Sequence, residues 1–443
     1  MNILLFFKCY NRDMFNKNFA RIILGLILII SLLVIVLFSV PSLRESVLWR
    51  IDQWKIQIDY ALNPPEAAVF VPDAEDMQLT PIPQTSPTNA PQPSPTITTD
   101  AINDTPTATL EPTPLPSSVK LDGIIYQDQH GLWNYCAPAN LAMQLSFWDW
   151  EGDRRDTGVV LKPFEKDKNV MLYEMADFVI DHTEYQAITR SGGNITLLKK
   201  LIANGFPVLV EKGVYLRDVN GKVSWMGHYA VLNGYDDAKQ EFLTQDSYFK
   251  PDFPISYDDL ITQWRSFNYI FLVVFPAEQE SKLINILGEY ADDRNADQIA
   301  YQNANEEIYS TQGNDLFYAW FNRGTSMVQL QDYAGAAESY DQAFLVYSQL
   351  PEKDRPWRMM WYQTGPYFAY FYSGRYQDVI NLATLTIDSA SEPYLEESFY
   401  WRAQAYVALG YTQKAIEDLN KSLEYHPNFT PSVELMQQLG YTP

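Results

Sequence analysis

The sequence predicts an α+β domain followed by an all-α helical-repeat domain, both behind one N-terminal transmembrane helix and a disordered Pro/Thr linker. Three observations carry this. Ile22 to Val40 is an uncharged apolar run of about 19 residues, enough to cross roughly 30 Å of hydrocarbon. No Lys or Arg occurs between Lys55 and Lys120, where Pro, Thr and Ser take over from Thr80 onward. Strand and helix patterns then mix up to Pro276, after which the apolar spacing is helical to Pro443. The 443 residues leave room for two or three domains at about 100–200 residues each.

Composition narrows the function. Lys and Arg number 32 against 55 Asp and Glu, a formal charge of −23. Nucleic acid and anionic lipid carry the same sign and are excluded as main partners. Two cysteines, Cys9 and Cys136, cannot build a disulfide framework. With four histidines and no HExxH, CxxC pair or Gly-rich phosphate loop, neither a metal nor a cofactor is expected.

Residues 1–21 carry Lys8, Arg12, Lys17 and Arg21 against Asp13, an excess that holds an N-terminus in the cytoplasm. Residues 22–40 end at Ser39-Val40-Pro41 without a small-x-small cleavage site, so they are expected to remain as a single-pass anchor with the catalytic domain extracytoplasmic. Residues 41–63, with Val47, Ile51, Trp54 and Ile58 three or four apart, read as an amphipathic juxtamembrane helix. Residues 64–118 cannot bury enough apolar surface to fold and form a linker.

The chemistry lies in residues 119–277. Pro138, at the start of the Ala/Leu/Met-rich run after Cys136, marks a helix beginning near that cysteine. A thiol at a helix N-terminus faces unpaired backbone N–H groups and the positive end of the dipole, which favour the nucleophilic thiolate. Gly227 to Tyr235 reads as a strand, Asp236-Asp237-Ala238-Lys239 as a turn, and Glu241 to Gln245 as a second strand ending at Asp246. A regular hairpin centred on Asp237 sets His228 opposite Asp246, with Cβ atoms about 5 Å apart. Asp246 could then orient the ring while His228 takes the thiol proton. Further helices are expected at Tyr173 to Ile180 and Ile195 to Ala203, with a strand from Gly205.

The run Trp133-Asn134-Tyr135-Cys136-Ala137-Pro138-Ala139, then Gly227-His228-Tyr229, Gly234-Tyr235-Asp236-Asp237 and Asp246-Ser247-Tyr248, resembles the papain-like cysteine peptidase domains related to the bacteriocin-processing, double-glycine leader peptidases. The resemblance covers about 160 residues, with the Cys, His and Asp pieces in the family's order. It implies Cys136 as nucleophile, His228 as general base and Asp246 as the residue that orients it. Such enzymes have a Gln ahead of the Cys whose amide helps stabilise the oxyanion. Here Gln129 and Gln127 are the candidates, with Gln129 preferred. The family's commoner Cys-Gly is Cys136-Ala137 here, and no ATP-binding cassette follows, so the exporter role does not carry over.

Residues 278–443 repeat one plan. Trp320-x3-Gly324 leads to Asp332-Tyr333-x2-Ala336-x3-Tyr340-x2-Ala343, Tyr367 leads to Gly374-Arg375-Tyr376-x2-Val379-x3-Ala383, and Ala403 leads to Gly410-Tyr411-x3-Ala415-x3-Leu419. Helix, short turn and helix, with small residues at the crossings, resembles the tetratricopeptide repeat. The turns centre on Gln331, Gly374 and Gly410, and Phe429 to Leu439 is expected to cap the array. The aromatics Trp320, Tyr340, Trp361, Tyr370, Tyr372 and Trp401 are read as core. The resemblance implies a curved stack that could hold a protein partner. The combined expectation is a membrane-anchored cysteine peptidase acting on a peptide or protein, set against a catalytically silent peptide-binding scaffold. A cell-wall amidase ranks last, because its Asp-Cys-Ser/Gly signature is absent around Cys136.

Overall fold

A computed structural model of the chain describes residues 24, 25, 28, 41–73, 114–217 and 221–442. They fall into two units, one of residues 1–63 with 217–222 and one of residues 64–216 with 223–443. The first holds helix α1, Pro41–Leu62, which leaves Ile51, Trp54, Ile58 and Leu62 exposed.

Here the single-pass membrane placement is corrected. Among the described residues no helix is long and apolar enough to cross a membrane. Helix α1 has the length, but Arg50, Lys55 and Asp59 interrupt it and its apolar residues are too few. The expected anchor at 22–40 lies outside the described residues apart from Leu24, Gly25 and Leu28, as does the linker at 74–113.

The second unit opens on a segment that differs from expectation. Residues 64–73, expected to begin the linker, pack on the repeats instead. Phe70 is buried with its ring centroid 4.9 Å from that of Phe344, the Glu66 carbonyl accepts from Arg355, and the Asp73 N–H donates to Asp378 at 2.8 Å. One aromatic side chain with two backbone bonds holds this stretch although its neighbours are Pro and Ala.

The α+β part runs β1 (Ser118–Lys120), α2 (Cys136–Ser146), α3 (Arg154–Leu161), α4 (Leu172–His182), β2 (Tyr185–Arg190), α5 (Ile195–Ala203), β3 (Val208–Arg217), β4 (Val223–Asp236), β5 (Glu241–Asp246), β6 (Lys250–Ser256), α6 (Tyr257–Arg265) and β7 (Phe271–Pro276). The strands form a seven-stranded sheet in the order β2-β7-β3-β4-β5-β6, with β1 paired to β4. Side chains alternate along each strand, so the sheet feeds two cores. Leu209, Val231, Leu272 and Val274 pack with Leu141 and Met143 of α2 and Met175 and Val179 of α4. Val208, Val210, Phe271 and Val273 pack with Leu198 and Leu201 of α5 and Leu260 and Trp264 of α6. Runs such as Phe271-Leu272-Val273-Val274 are apolar throughout because both faces are covered.

The rest is helical: α7 (Glu280–Leu287), α8 (Asp293–Ser310), α9 (Asn314–Gln329), α10 (Tyr333–Gln349), α11 (Met359–Tyr362), α12 (Gly365–Tyr372), α13 (Tyr376–Asp388), α14 (Glu396–Ala408), α15 (Thr412–Tyr425) and α16 (Thr430–Gln438). The three turn residues Gln331, Gly374 and Gly410 all have positive φ, at 66°, 78° and 79°. Each ends a helix and reverses the chain, which a left-handed residue after the last turn allows. Gly324 faces the Tyr340 ring so closely that a Cβ there would lie 2.8 Å from it. Tyr340, Trp361, Tyr370 and Trp401 are buried as core, whereas Tyr372 is 56% exposed.

These turns make a measurable prediction. Gly374→Ala and Gly410→Ala should each lose about 1–2 kcal/mol, because a Cβ is strained in this conformation, whereas Gln331→Gly should lose none. Denaturant unfolding measures all three, and equal losses would contradict the role given to the left-handed turns.

Candidate active site

Cys136 opens α2, preceded by Tyr135 at φ −98° and by Asn134 in the left-handed region at φ 47°. The sharp turn at Asn134 is pinned from the α3–α4 loop. Asn134 Nδ2 donates to the Asp167 carbonyl at 2.8 Å, and the buried Lys162 ammonium donates to the Trp133 and Asn134 carbonyls. Helix α2 from Ala137 onward is buried, whereas Cys136 itself is partly exposed and unbridged. The thiol therefore sits at the rim of a rigid helix, where the first backbone N–H groups are unpaired.

His228 on β4 and Asp246 at the end of β5 are both buried, at 1% and 0% exposure. The His228 Nε2 lies 2.8 Å from Asp246 Oδ1, and Cys136 also acts on the ring, favouring its protonated form. Since Nε2 is engaged by the carboxylate, Nδ1 is the nitrogen left for sulfur. The expected directly opposed pair is not how the contact forms. A register shift between Leu232 and Gly234 leaves Val231 opposite Gln245. Continuing that register puts Asp246 opposite Ala230, so it reaches His228 along the diagonal. The turn is centred beyond Asp237, since Asp236 pairs with Glu241, and the bulge takes back one residue of that offset, which leaves His228 on the same face as Asp246 as its diagonal neighbour.

Asp246 is held from several sides. Its Oδ1 also accepts from the Tyr248 N–H at 3.0 Å and the Phe249 N–H at 3.3 Å, and Lys212 Nζ stands 3.5 Å from Oδ2. Burial pushes this carboxyl up, but His228, Lys212 and the backbone donor outweigh it and hold it well below the usual carboxylate range. Burial likewise opposes the charged form of His228, yet the Asp246 carboxylate and Cys136 prevail and raise the ring to about 9. Glu211 is buried near Cys136 and Tyr229, and burial raises its carboxyl well above the carboxylate range. Burial thus favours its uncharged form.

The two glutamines separate cleanly. Gln127 Oε1 accepts from the Arg154 N–H at 2.6 Å and so caps the start of α3. Gln129 is tied to the residue after the aspartate. Its N–H donates to the Ser247 carbonyl at 3.0 Å, and its Oε1 accepts from Ser247 Oγ at 2.7 Å. Asn140 Nδ2 in turn donates to Ser247 Oγ at 2.8 Å and to the Cys136 carbonyl at 2.9 Å. This chain links Gln129 to the start of α2, and with Oε1 occupied the amide N–H₂ is what Gln129 can offer a ligand.

Sequence reasoning missed four contributors. Ser247 stood inside a quoted motif and Asn140 directly after one, but neither had a role assigned. Lys212 carries no local signal, since β3 brings it to Asp246 only through the sheet. Tyr362 comes from the repeats: its ring packs 5.9 Å from Trp225, its hydroxyl shares a hydrogen bond with the Gly227 backbone, and a Cβ on Gly227 would lie 2.9 Å from it. Arg358 donates to the Trp225 carbonyl and Asn169 to the Trp361 carbonyl. The repeats thus wall the strand that carries His228.

Comparison with known proteins follows the same division. Residues 121–270 match the Peptidase_C39 like family, and residues 396–429 match a tetratricopeptide repeat. Two solved structures are similar to the first part: a Bacillus anthracis protein described as a C39-like peptidase, and Xylellain, a cysteine protease from Xylella fastidiosa. The first is 17% identical and the alignment covers 36% of this chain and 97% of that one, with a TM-score of 0.30. The second is 16% identical over 36% of this chain and 86% of that one, with a TM-score of 0.27. No curated protein matches. Residues 121–270 form a C39-peptidase-like domain, and a tetratricopeptide repeat follows it in the same chain.

Proposed function

We propose that the protein is a cysteine peptidase that cleaves a peptide or protein through a thiol acyl-enzyme, with Cys136 as nucleophile, His228 as general base and acid, and Asp246 as the group that orients His228. The observation that carries this is the His228 ring held by the Asp246 carboxylate and acted on by Cys136. His228 takes the thiol proton, and the sulfur attacks the scissile carbonyl carbon. The carbonyl π bond becomes an oxyanion, which the Cys136 N–H and the Gln129 amide stabilise. When the oxyanion collapses, the C–N bond breaks and His228 returns the proton to the leaving amine. Water, deprotonated by His228, then releases the acid from the thioester and restores the thiol.

The helical repeats would present the peptide or a protein partner to this site. A groove of about 1000 Å³ runs along Asn194, Lys200, Trp264, Glu289 and Glu306. None of the four candidate catalytic residues lines it, so the scissile bond would lie at Cys136 and not in this groove. A silent peptide-binding scaffold remains the alternative, and catalysis is what separates the two.

Cys136→Ala should abolish peptide hydrolysis while leaving the circular-dichroism spectrum and unfolding midpoint close to wild type. Full activity in this variant would overturn the assignment. Gln129→Ala should lower kcat by about 10²-fold, the size of one lost oxyanion donor, while Gln127→Ala should leave kcat nearly unchanged. The reverse pattern would exchange their roles.

The His228 ring also links stability to pH. Its folded value of about 9 lies above the ordinary 6.5, so folding favours the protonated ring. That stabilisation is complete below pH 6.5 and is lost as pH rises through about 9. The unfolding-temperature gap between wild type and His228→Gln should shrink over this interval, and a gap independent of pH would contradict the linkage.

A further inference from the structure

Away from Cys136, three side chains far apart in sequence converge where the repeats meet the peptidase-like domain. Asp167 comes from the α3–α4 loop, Glu396 from the first turn of α14 and His426 from the end of α15. One potential ligand atom from each lies within 4.8 Å of the other two. Neighbouring donors around a bound ion with bonds of about 2.1 Å stand roughly 3–4 Å apart, so small side-chain rotations close the difference. Asp167 and Glu396 are each 2% exposed. His426 Nδ1 lies 3.2 Å from Glu396 Oε1, while Glu396 Oε2 is buried with no hydrogen-bond partner. The adjacent Glu397 is buried as well, with an unpartnered Oε1.

Charge makes the arrangement hard to explain as packing alone. Of the three buried acidic side chains Asp167, Glu396 and Glu397, only Asp167 is paired with an ammonium, that of Lys162, whose hydrogen bonds go to the Trp133 and Asn134 carbonyls. Glu174 stands beside them as a further carboxylate, accepting from the Met171 N–H. Lys168 is turned over the Trp361 and Tyr394 rings, 5.0 and 5.5 Å from their centroids. The N-terminus of α14 offers only about half a positive charge. Buried carboxylates without cations are costly, and a divalent ion supplies the missing charge together with a partner for the orphan oxygen.

We propose that Asp167, Glu396 and His426 bind a divalent cation of the zinc class, which clamps the repeats to the α3–α4 loop. Two carboxylates and one imidazole are a donor set that Zn²⁺ accepts. Motif searching misses it because the ligands come from three elements in two parts of the fold. The clamp reaches the nucleophile through one residue, since the Asp167 carbonyl holds the Asn134 side chain two residues ahead of Cys136. The ion would therefore act at a distance, fixing the turn that positions the thiol without touching substrate.

The test uses the full chain carrying Cys136→Ala and Cys9→Ser, so that no thiol competes for the metal. Calorimetric titration with Zn²⁺ should show about one site per chain, and Zn²⁺ should raise the unfolding midpoint above that in EDTA. Glu396→Gln and His426→Gln should each weaken binding by roughly tenfold or more. Metal-free Glu396→Gln should unfold no earlier than its parent, because a buried charge has gone. Absence of binding, or Zn²⁺ affinity unchanged in both variants, would overturn the proposal.

Discussion

The bond between the His228 ring and the buried Asp246 carboxylate is the constraint on which the rest of the site depends. A carboxylate with no exposed surface would be destabilising without partners; here an imidazole and two backbone N–H groups bond Oδ1, and the Lys212 ammonium stands 3.5 Å from Oδ2. Each partner comes from a different place: β4 supplies His228, β3 supplies Lys212, and the turn after β5 supplies the amides. The sheet order is what brings them together. Once the ring is fixed through Nε2, its other nitrogen is the one left free, and Cys136 at the start of α2 is near enough to act on the ring. Orientation and protonation of the ring then have the same cause, since the carboxylate that aims the imidazole also raises it to about 9.

The repeats are more than an appended module. Tyr362 rests on Gly227 beside His228, the Arg358 and Asn169 side chains donate to backbone carbonyls across the boundary, and the segment from Pro64 to Asp73 packs back onto the helices. The peptidase-like domain and the helices thus share a wall, and substitutions in that wall can reach the site without touching it. The Asp167 loop is the second such route, since it joins the acidic cluster at α14 to the turn before Cys136.

How much of this the sequence revealed depended on whether the signal was local. Cys136 before Pro138, His228 after Gly227, and Asp246 before Ser247 each sit in short runs with their own turn or helix grammar, and the structure brings all three together. The repeat turns at Gln331, Gly374 and Gly410 were equally legible, because a left-handed residue between two helices leaves a pattern. The centre of the β4–β5 turn and the bulge in β4 were not, so the predicted facing pair became a diagonal one. Gln127 and Gln129 lie in an irregular segment without periodicity, and only their partners, Arg154 and Ser247, tell them apart. Lys212, Tyr362 and the docking of Phe70 depend on long-range packing that no local pattern records. The apolar run at 22–40 suggested a spanning helix, but no helix among the described residues has that character.

The central claim is that His228 and Cys136 act as one proton-sharing unit. The most direct measurement is the rate at which iodoacetamide alkylates Cys136 across pH, in the wild type and in His228→Ala. The account predicts rapid alkylation in the wild type that persists well below the pH at which a free thiol reacts, and a slow reaction in the variant that rises only as an ordinary thiol ionises. Superimposable profiles would contradict it.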